Sequence, residues 1–418
     1  MRSFYLAIAL LWLSAATMAG QQASVDSLDS RVKGLEKQMA FLKNLKITGY
    51  IQAQWQVASA AGIKSFAGGD FPESAGNRFS IRRGRIKFSF SDPRFQLVYQ
   101  PEITERGIAL RDAYGVVTEP WLGQFSLTAG VFNRPFSFEN IYSSSLRETP
   151  ERARFSQTLL PNERETGAML SWKWKGLRVD GGFFNGNSIA QDNDSRKDFI
   201  GRTAWAKTGG KVQYGMGVSY YRGTIRQGTN AVFVFEFHNN EHLYGMFMKD
   251  TLHSPSIGQY SRREYFGLDA QYSFRAGIGK TTLRAELIAG TQPGTQQSSE
   301  SPRTRDGLPG NIYIRHVSGG AVCLVQTIGN SPFQAVVKYD WFDPNTSVSG
   351  SDIGQSGSNL GAADIRYDTW GAGVNLIWQN LTLMAYYDLV RNEKTPNLGA
   401  LTQDLKDNVL TLRAQIKF

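Results

Sequence analysis

The chain of 418 residues contains one cysteine, Cys323, so no disulfide can form within it. That residue lies in the strand-like run AVCLVQTI, where packing is expected rather than reactivity. Histidine is nearly as scarce, with four in all, which leaves little imidazole for a metal centre or a general base. One stretch, HNNEH at His238 to His242, has the H-x-x-E-H spacing of zinc peptidases. It follows the alternating run AVFVFEF and contains two asparagines, so a hairpin turn is expected there, not the helix a zinc site requires. DND at Asp192 lacks the glycine and terminal glutamate of a calcium loop. No serine stands in a nucleophile-elbow context. No metal, cofactor or catalytic residue is therefore expected. Long apolar runs are missing after residue 20, which excludes a helical crossing by the rest of the chain and leaves a closed barrel as the only way to span a membrane.

What is present points to strands. Aromatic residues make up 12% and glycines number 43, while charged residues are 20% and mean hydropathy is −0.33, values of a folded, strand-rich chain. The opening MRSFYLAIALLWLSAATMAG reads as a signal peptide over 1–20, with Arg2, an apolar centre from Phe4 to Leu13 and small residues near a cut at Ala19 or Gly20. Over 21–45, Val25, Leu28, Val32, Leu35, Met39 and Leu42 fall three and four apart, a short coiled-coil seam, with an amphipathic helix on the protein's own surface as the alternative. Lys and Arg total 46 against 36 Asp and Glu, a formal +10. Such an excess suits nucleic acid, an acidic membrane surface or an anionic solute. Export makes nucleic acid the least consistent of the three.

From Lys46 to Phe418 the period becomes two. KITGYIQAQWQV sets Ile47, Ile51, Trp55 and Val57 against Thr48, Tyr50, Gln52, Gln54 and Gln56. FQAVVKYDWF sets Phe333, Ala335, Val337, Tyr339 and Trp341 against Gln334, Val336, Lys338 and Asp340. One face suits lipid and the other water. The pattern recurs to the final LTLRAQIKF, with aromatics gathered at strand ends as in a membrane-interface girdle. Short connections (SDP at Ser91, KG at Lys175, TGG at Thr208, GNSP at Gly329, QN at Gln379) alternate with long ones at 58–77, 134–166, 292–310 and 343–368. That is the asymmetry of an all-β transmembrane antiparallel barrel. Eighteen strands result if AVFVFEF and LYGMFMK both cross, sixteen if they form a hairpin within a loop.

One strand breaks phase. In SIRRGRIKF, Phe79 and Ile81 are odd while Ile86, Phe88 and Phe90 are even, so a bulge is expected near Arg82 and Arg83. The slip would turn Arg82, Arg83, Arg85 and Lys87 toward the pore, where guanidinium forks match phosphate oxygens and offset the ion's lost hydration. A solvated wall without selectivity is the alternative.

Residues 127–172, LTAGVFNRPFSFENIYSSSLRETPERARFSQTLLPNERETGAMLSW, resemble the phosphate-selective porin O and P family. GxFxxPFSxE at Gly130 to Glu139 is the most specific element, supported by SIRRGRIKF, RDAYGVV, DFIGR, YFGLDAQY, LRAELIAG and VVKYDWFDP. The resemblance implies a sixteen-stranded homotrimeric porin in the outer membrane, with the loop after the fifth strand folded into the lumen and 231–249 an extracellular hairpin. It also implies a constriction in which that loop's Arg134, Ser143, Ser144, Ser145, Arg147, Arg152 and Arg154 hold an anion, with Asp112 keeping the anion from sticking. Glu139, Glu148, Glu151, Glu163 and Glu165 in the same loop depart from a purely basic filter. Phe418, at the end of the last strand, resembles the signal read by the barrel insertion machinery. The expected function is passive passage of small, phosphate-like anions. A barrel-anchored tether or adhesin and a non-selective diffusion porin are the alternatives.

Overall fold

The computed structural model describes residues 29–34, 39, 42–192, 194–228, 231–240, 242–250, 257–301 and 310–418. The signal segment and half of the seam residues, Val25, Leu28 and Leu35, lie outside them. Residues 29–34, 39 and 42–44 are helical, and seam residues Val32, Met39 and Leu42 are exposed.

Strands then follow in chain order. They are β1 (Leu45–Ala58), β2 (Asn77–Ser91), β3 (Phe95–Thr104), β4 (Gly107–Thr118), β5 (Phe125–Asn133), β6 (Arg164–Trp174), β7 (Leu177–Phe184), β8 (Asp198–Lys207) and β9 (Val212–Arg226). After them come β10 (Val232–Asn240), β11 (His242–Lys249), β12 (Tyr260–Ala276), β13 (Gly279–Gly294), β14 (Ile312–Thr327), β15 (Phe333–Asp343), β16 (Tyr367–Trp378), β17 (Leu381–Asn392) and β18 (Val409–Lys417). β9 pairs with β12 from Arg226↔Tyr260 to Val212↔Phe274, bypassing β10 and β11. β1 pairs with both β2 and β18. The wall is therefore a closed antiparallel barrel of sixteen strands, and β10–β11 is the expected hairpin outside it. Asn240 pairs with His242 across that hairpin, so both histidines of HNNEH lie on paired strands and not on a helix. The hairpin touches the wall through a short parallel contact of Val232 and Phe233 with Ile312 and Tyr313.

Parity along each strand sorts residues between two solvents. On β1, Ile47 and Ile51 are about half exposed on the outer surface while Gln52, Gln54 and Gln56 are buried inward. On β15, Val337 faces out and Lys338 and Asp340 face in. In lipid every backbone polar group must be paired within the wall, and closure of the ladder leaves no free edge. Two-residue turns such as 175–176 and 379–380 occupy the end that holds the C-terminus, and most long loops occupy the other. The β3–β4 loop breaks the alternation: it is cut to Glu105 and Arg106 because Gly107 takes φ 111°, a tight left-handed turn.

The loop between β5 and β6, residues 134–163 (L3), folds into the lumen. It carries helices α1 (Phe138–Ile141) and α2 (Arg154–Leu159). Phe136, Ala153, Phe155, Leu159 and Leu160 pack in one buried cluster with the inner-wall residues Phe184, Tyr221, Tyr265, Ile288, Val317 and Phe342. Glycines on the wall make the sockets. A Cβ on Gly319 would lie 2.5 Å from Cβ of Phe155, and one on Gly267 would lie 3.2 Å from Cζ of Phe136. Each fully buried side chain of this size contributes about 1.5–3 kcal/mol. L3 is thus anchored on the β7–β15 side, and its polar edge is left facing β1, β2 and β18.

Candidate functional site

The bulge falls at Arg82. Gln52 pairs with Arg83 and Ala53 with Ile81, so Arg82 has no partner across the ladder. The extra residue twists β2 and lets consecutive arginines reach the same group. That group is Glu151 on L3. Arg82 donates to it from Nε at 2.7 Å and Nη2 at 3.0 Å, Arg83 from Nη2 at 2.7 Å and Nη1 at 3.2 Å, and Arg413 of β18 from Nη2 at 2.9 Å. Burial alone would raise the Glu151 carboxyl, but Arg82, Arg83 and Arg413 outweigh it and hold it well below the usual carboxylate range. Arg413 also donates to the Pro150 carbonyl at 2.6 Å. L3 is thereby latched to the wall opposite its apolar anchor.

A second contact lies toward the short-turn end. The Ser144 hydroxyl is 2.7 Å from the Tyr50 hydroxyl and accepts from Arg85 Nη1 at 3.0 Å, while Arg85 Nε donates to Glu102 of β3 at 2.6 Å. The β3 ladder is interrupted next to Glu102, with a register shift at Gln100/Pro101, because proline has no N–H to donate. Glu163, at the end of L3, takes Arg152 at 3.3 Å and also pairs with Arg111 and Arg164. Burial again opposes ionisation there, and Arg152, Arg164 and Arg111 again prevail, holding this carboxyl well below its usual range.

Two cavities meet at this belt. The larger, about 810 Å³, opens toward the short-turn end and is lined by Arg85, Lys87, Asp112, Ser143, Ser144 and Arg164, among others. The smaller, about 210 Å³, lies between the upper half of β2 and the β3–β4 hairpin and is lined by Arg82, Glu102, Glu105 and Arg106. Arg85 belongs to one and Glu102 to the other, so their ion pair stands between them.

The belt is cationic on balance. Among the described residues, the guanidiniums of Arg82, Arg83, Arg85, Arg111, Arg152, Arg164 and Arg413 meet only the carboxylates of Glu102, Asp112, Glu151 and Glu163. Arg147 adds a buried cation without a carboxylate in contact among the described residues. It donates to the carbonyls of Glu139 at 3.4 Å and Tyr142 at 3.2 Å, and its Nε and Nη1 have no partner.

The residues singled out from sequence divide into three places. Arg85, Lys87, Asp112, Ser143 and Ser144 line the large cavity, with Asp112 bound to Arg164 at 3.0 Å. Arg82 and Arg83 hold the latch. The remaining loop cations work within the scaffold. Arg134 pairs with Glu165 at 3.2 Å, Arg152 donates to the Ser156 and Leu160 carbonyls, and Arg154 is held over the Tyr367 and Phe66 rings at 3.8 and 4.5 Å. Burial lowers the Arg152 guanidinium to about 10. Glu102, Arg111, Arg164 and Arg413 were not among them. Arg413 was legible as lumen-facing from the parity of LTLRAQIKF, but its partner Glu151 is 262 residues away in sequence.

A closed sixteen-stranded antiparallel barrel with a loop infolded to a charged belt defines a porin of the outer membrane. The model of the phosphate-selective porin O and P family matches residues 49–240 of this chain. Curated proteins offer no sequence match. Among solved structures, OprB of Pseudomonas putida at high pH superposes with TM-score 0.58 at 9% identity, covering 92% of this chain and 97% of that one. OmpF of Salmonella typhi in complex with daunomycin gives 0.53 at 11%, covering 90% and 97%. The trimer form of in-vitro folded OmpT from Vibrio cholerae gives 0.50 at 9%, covering 90% and 99%. At these identities the likeness is one of fold. Family and fold together indicate a channel rather than an enzyme.

Proposed function

We propose that the protein forms a water-filled, anion-preferring diffusion channel of the phosphate type, passive and without a catalytic step. The observation that carries this reading is the excess of guanidinium over carboxylate where L3 meets β2, β4 and β18. Anions approaching through the large cavity meet Lys87, Arg85 and the Ser143 and Ser144 hydroxyls, which can replace part of the hydration shell. The counter-carboxylates keep the site from becoming a trap, since each charge-assisted hydrogen bond is worth about 1.5–3 kcal/mol. The family description supports phosphate as the type of anion.

Residues 1–20 would direct export and be removed, and 21–45 would form a coiled-coil segment on the periplasmic side. A homotrimer is supported by an apolar groove of about 840 Å³ on the outer wall, lined by Trp55, Phe79, Ile81, Val374, Leu383 and Leu412, which a second copy would cover. Phe418 would be read by the insertion machinery. Its backbone is already paired with Gly49 in both directions at 3.0 Å, and its exposed ring lies against that glycine.

The test is conduction across a planar bilayer. The wild type should show anion-positive reversal potentials and block of chloride current by phosphate. The triple variant Arg82→Glu, Arg83→Glu, Arg85→Glu should invert the preference. Equal passage of potassium and chloride by the wild type would make this a general diffusion porin, and no conductance at all would favour an anchor.

A further inference from the structure

The outward face of the barrel carries a second set of cations, remote from the lumen. Even-numbered residues of β9 and β12 point to the membrane, and at their loop ends these include Arg222, Arg226 and Arg262, all exposed. Register sets Arg222 opposite Glu264, Thr224 opposite Arg262 and Arg226 opposite Tyr260, so the three arginines share one small area of wall. Arg196 and Lys197, exposed and just before β8, join it on the other side, with Phe199 of β8 paired to Arg222. The Arg196 guanidinium lies 4.0 Å over the Tyr260 ring.

Some of this charge is answered. Arg262 pairs with Glu264, and Lys197 with Asp192 at 2.6 Å. Arg196, Arg222 and Arg226 have no carboxylate in ion-pair contact among the described residues. Immediately below runs an aromatic band on β7, β8, β9 and β12. Phe183 and Phe199 lie 5.7 Å apart between ring centroids, Phe199 and Tyr220 6.4 Å, and Tyr220 and Phe266 4.9 Å. Such a band marks the membrane–water interface, so the cations stand at the level of lipid headgroups. The sector is distinctive. Just before β16 and on β17 the exposed arginines near the loop end are matched, Arg366 by Asp368 at 2.9 Å and Arg391 by Asp404.

We infer that this patch is a binding site for a phosphorylated glycolipid of the outer leaflet. Its phosphates would sit on Arg196, Arg222 and Arg226, and its acyl chains on the Phe199, Tyr220 and Phe266 band. Guanidinium forks suit phosphate, and a hydrocarbon surface directly below distinguishes a lipid-borne phosphate from a free one. β9 lies half the barrel's circumference from β1 in the strand order, so a contact between copies through the apolar groove on β1, β2 and β16–β18 would leave the patch facing lipid. The inference rests on the outer-membrane location and is independent of which ion the lumen prefers.

The experiment titrates the full-length barrel in detergent micelles with bisphosphorylated lipid A, the same lipid after phosphatase treatment, and phosphatidylglycerol. It compares wild type with the triple variant Arg196→Ser, Arg222→Ser, Arg226→Ser. At about fivefold per interfacial cation, the triple change should weaken lipid A binding on the order of a hundredfold. Removing the phosphates from the lipid should abolish the difference between the two proteins. Unchanged single-channel conductance shows that the variant is folded. Should it not assemble, Arg222→Glu alone serves, with a loss of at least fivefold expected. Equal lipid A affinity in wild type and variant overturns the proposal. So does displacement of bound lipid A by millimolar inorganic phosphate, or equally tight binding of phosphatidylglycerol.

Discussion

Replacing Glu151 by glutamine would separate the latch from the rest of L3. The change keeps shape and removes one charge from a carboxylate held by Arg82, Arg83 and Arg413. Breaking a buried ion pair from one side costs about 3–5 kcal/mol. That loosens the edge at Glu151 but does not approach the anchor, where Phe136, Phe155, Leu159 and Leu160 are each at most 1% exposed and each contributes about 1.5–3 kcal/mol. L3 should stay in the lumen while the segment around Glu151 loosens from Arg82 and Arg83 of β2 and Arg413 of β18. Three guanidiniums are then unpaired. For an ion passing at about 8 Å, one added unit charge is worth about 0.5 kcal/mol at a dielectric constant of 80 and about 2 kcal/mol at 20. Anion-to-cation permeability should therefore rise at least about twofold, and phosphate should block chloride current at lower concentration because the freed forks can bind it. Reversal potentials under a tenfold KCl gradient, with single-channel current recorded in added phosphate, provide the measurement. If selectivity and block match the wild type, Glu151 and its arginines lie off the ion's path, and the functional reading of this belt fails.

Three further outcomes are expected. Gly319→Val should drive Phe155 from its socket, at a cost of about 1–3 kcal/mol, and raise open-channel noise without unfolding the wall; quiet current in this variant would mean that L3 is not anchored there. The Glu151 and Glu163 carboxyls are depressed in the folded protein, so their stabilisation is complete above the unfolded value of about 4.3 and is lost only as pH falls through the lower folded values. The difference in selectivity between the wild type and Glu151→Gln should accordingly persist unchanged from about pH 8 to about pH 5, and its disappearance within that span would contradict the assignment. Deleting Phe418 should reduce assembled barrel in the outer membrane far more than synthesis, as read by heat-modifiable migration on gels; normal assembly of the truncated chain would remove its proposed sorting role.

Alternation of period two is a local property, so the sequence alone determined which residues of β1, β15 and β18 meet lipid and which meet the lumen. The same rule exposed the bulge in SIRRGRIKF, because an extra residue inverts parity wherever it falls. Parity could not decide whether AVFVFEF and LYGMFMK cross the membrane, since an extracellular hairpin alternates as a wall strand does. That was settled by β9 pairing with β12 along fifteen residue pairs, a contact between segments far apart in the chain. Partnership was likewise beyond reach. L3 was legible as a loop rich in both charges, but not that Arg134, Arg152 and Arg154 brace it from within while Glu151 crosses the lumen. Electrostatic partners are chosen by closure of the barrel, which brings residues 82, 83, 151 and 413 within hydrogen-bonding distance. Charge type is written in the residue, but which charges remain free to meet an ion depends on what the folded wall and loop have already neutralised.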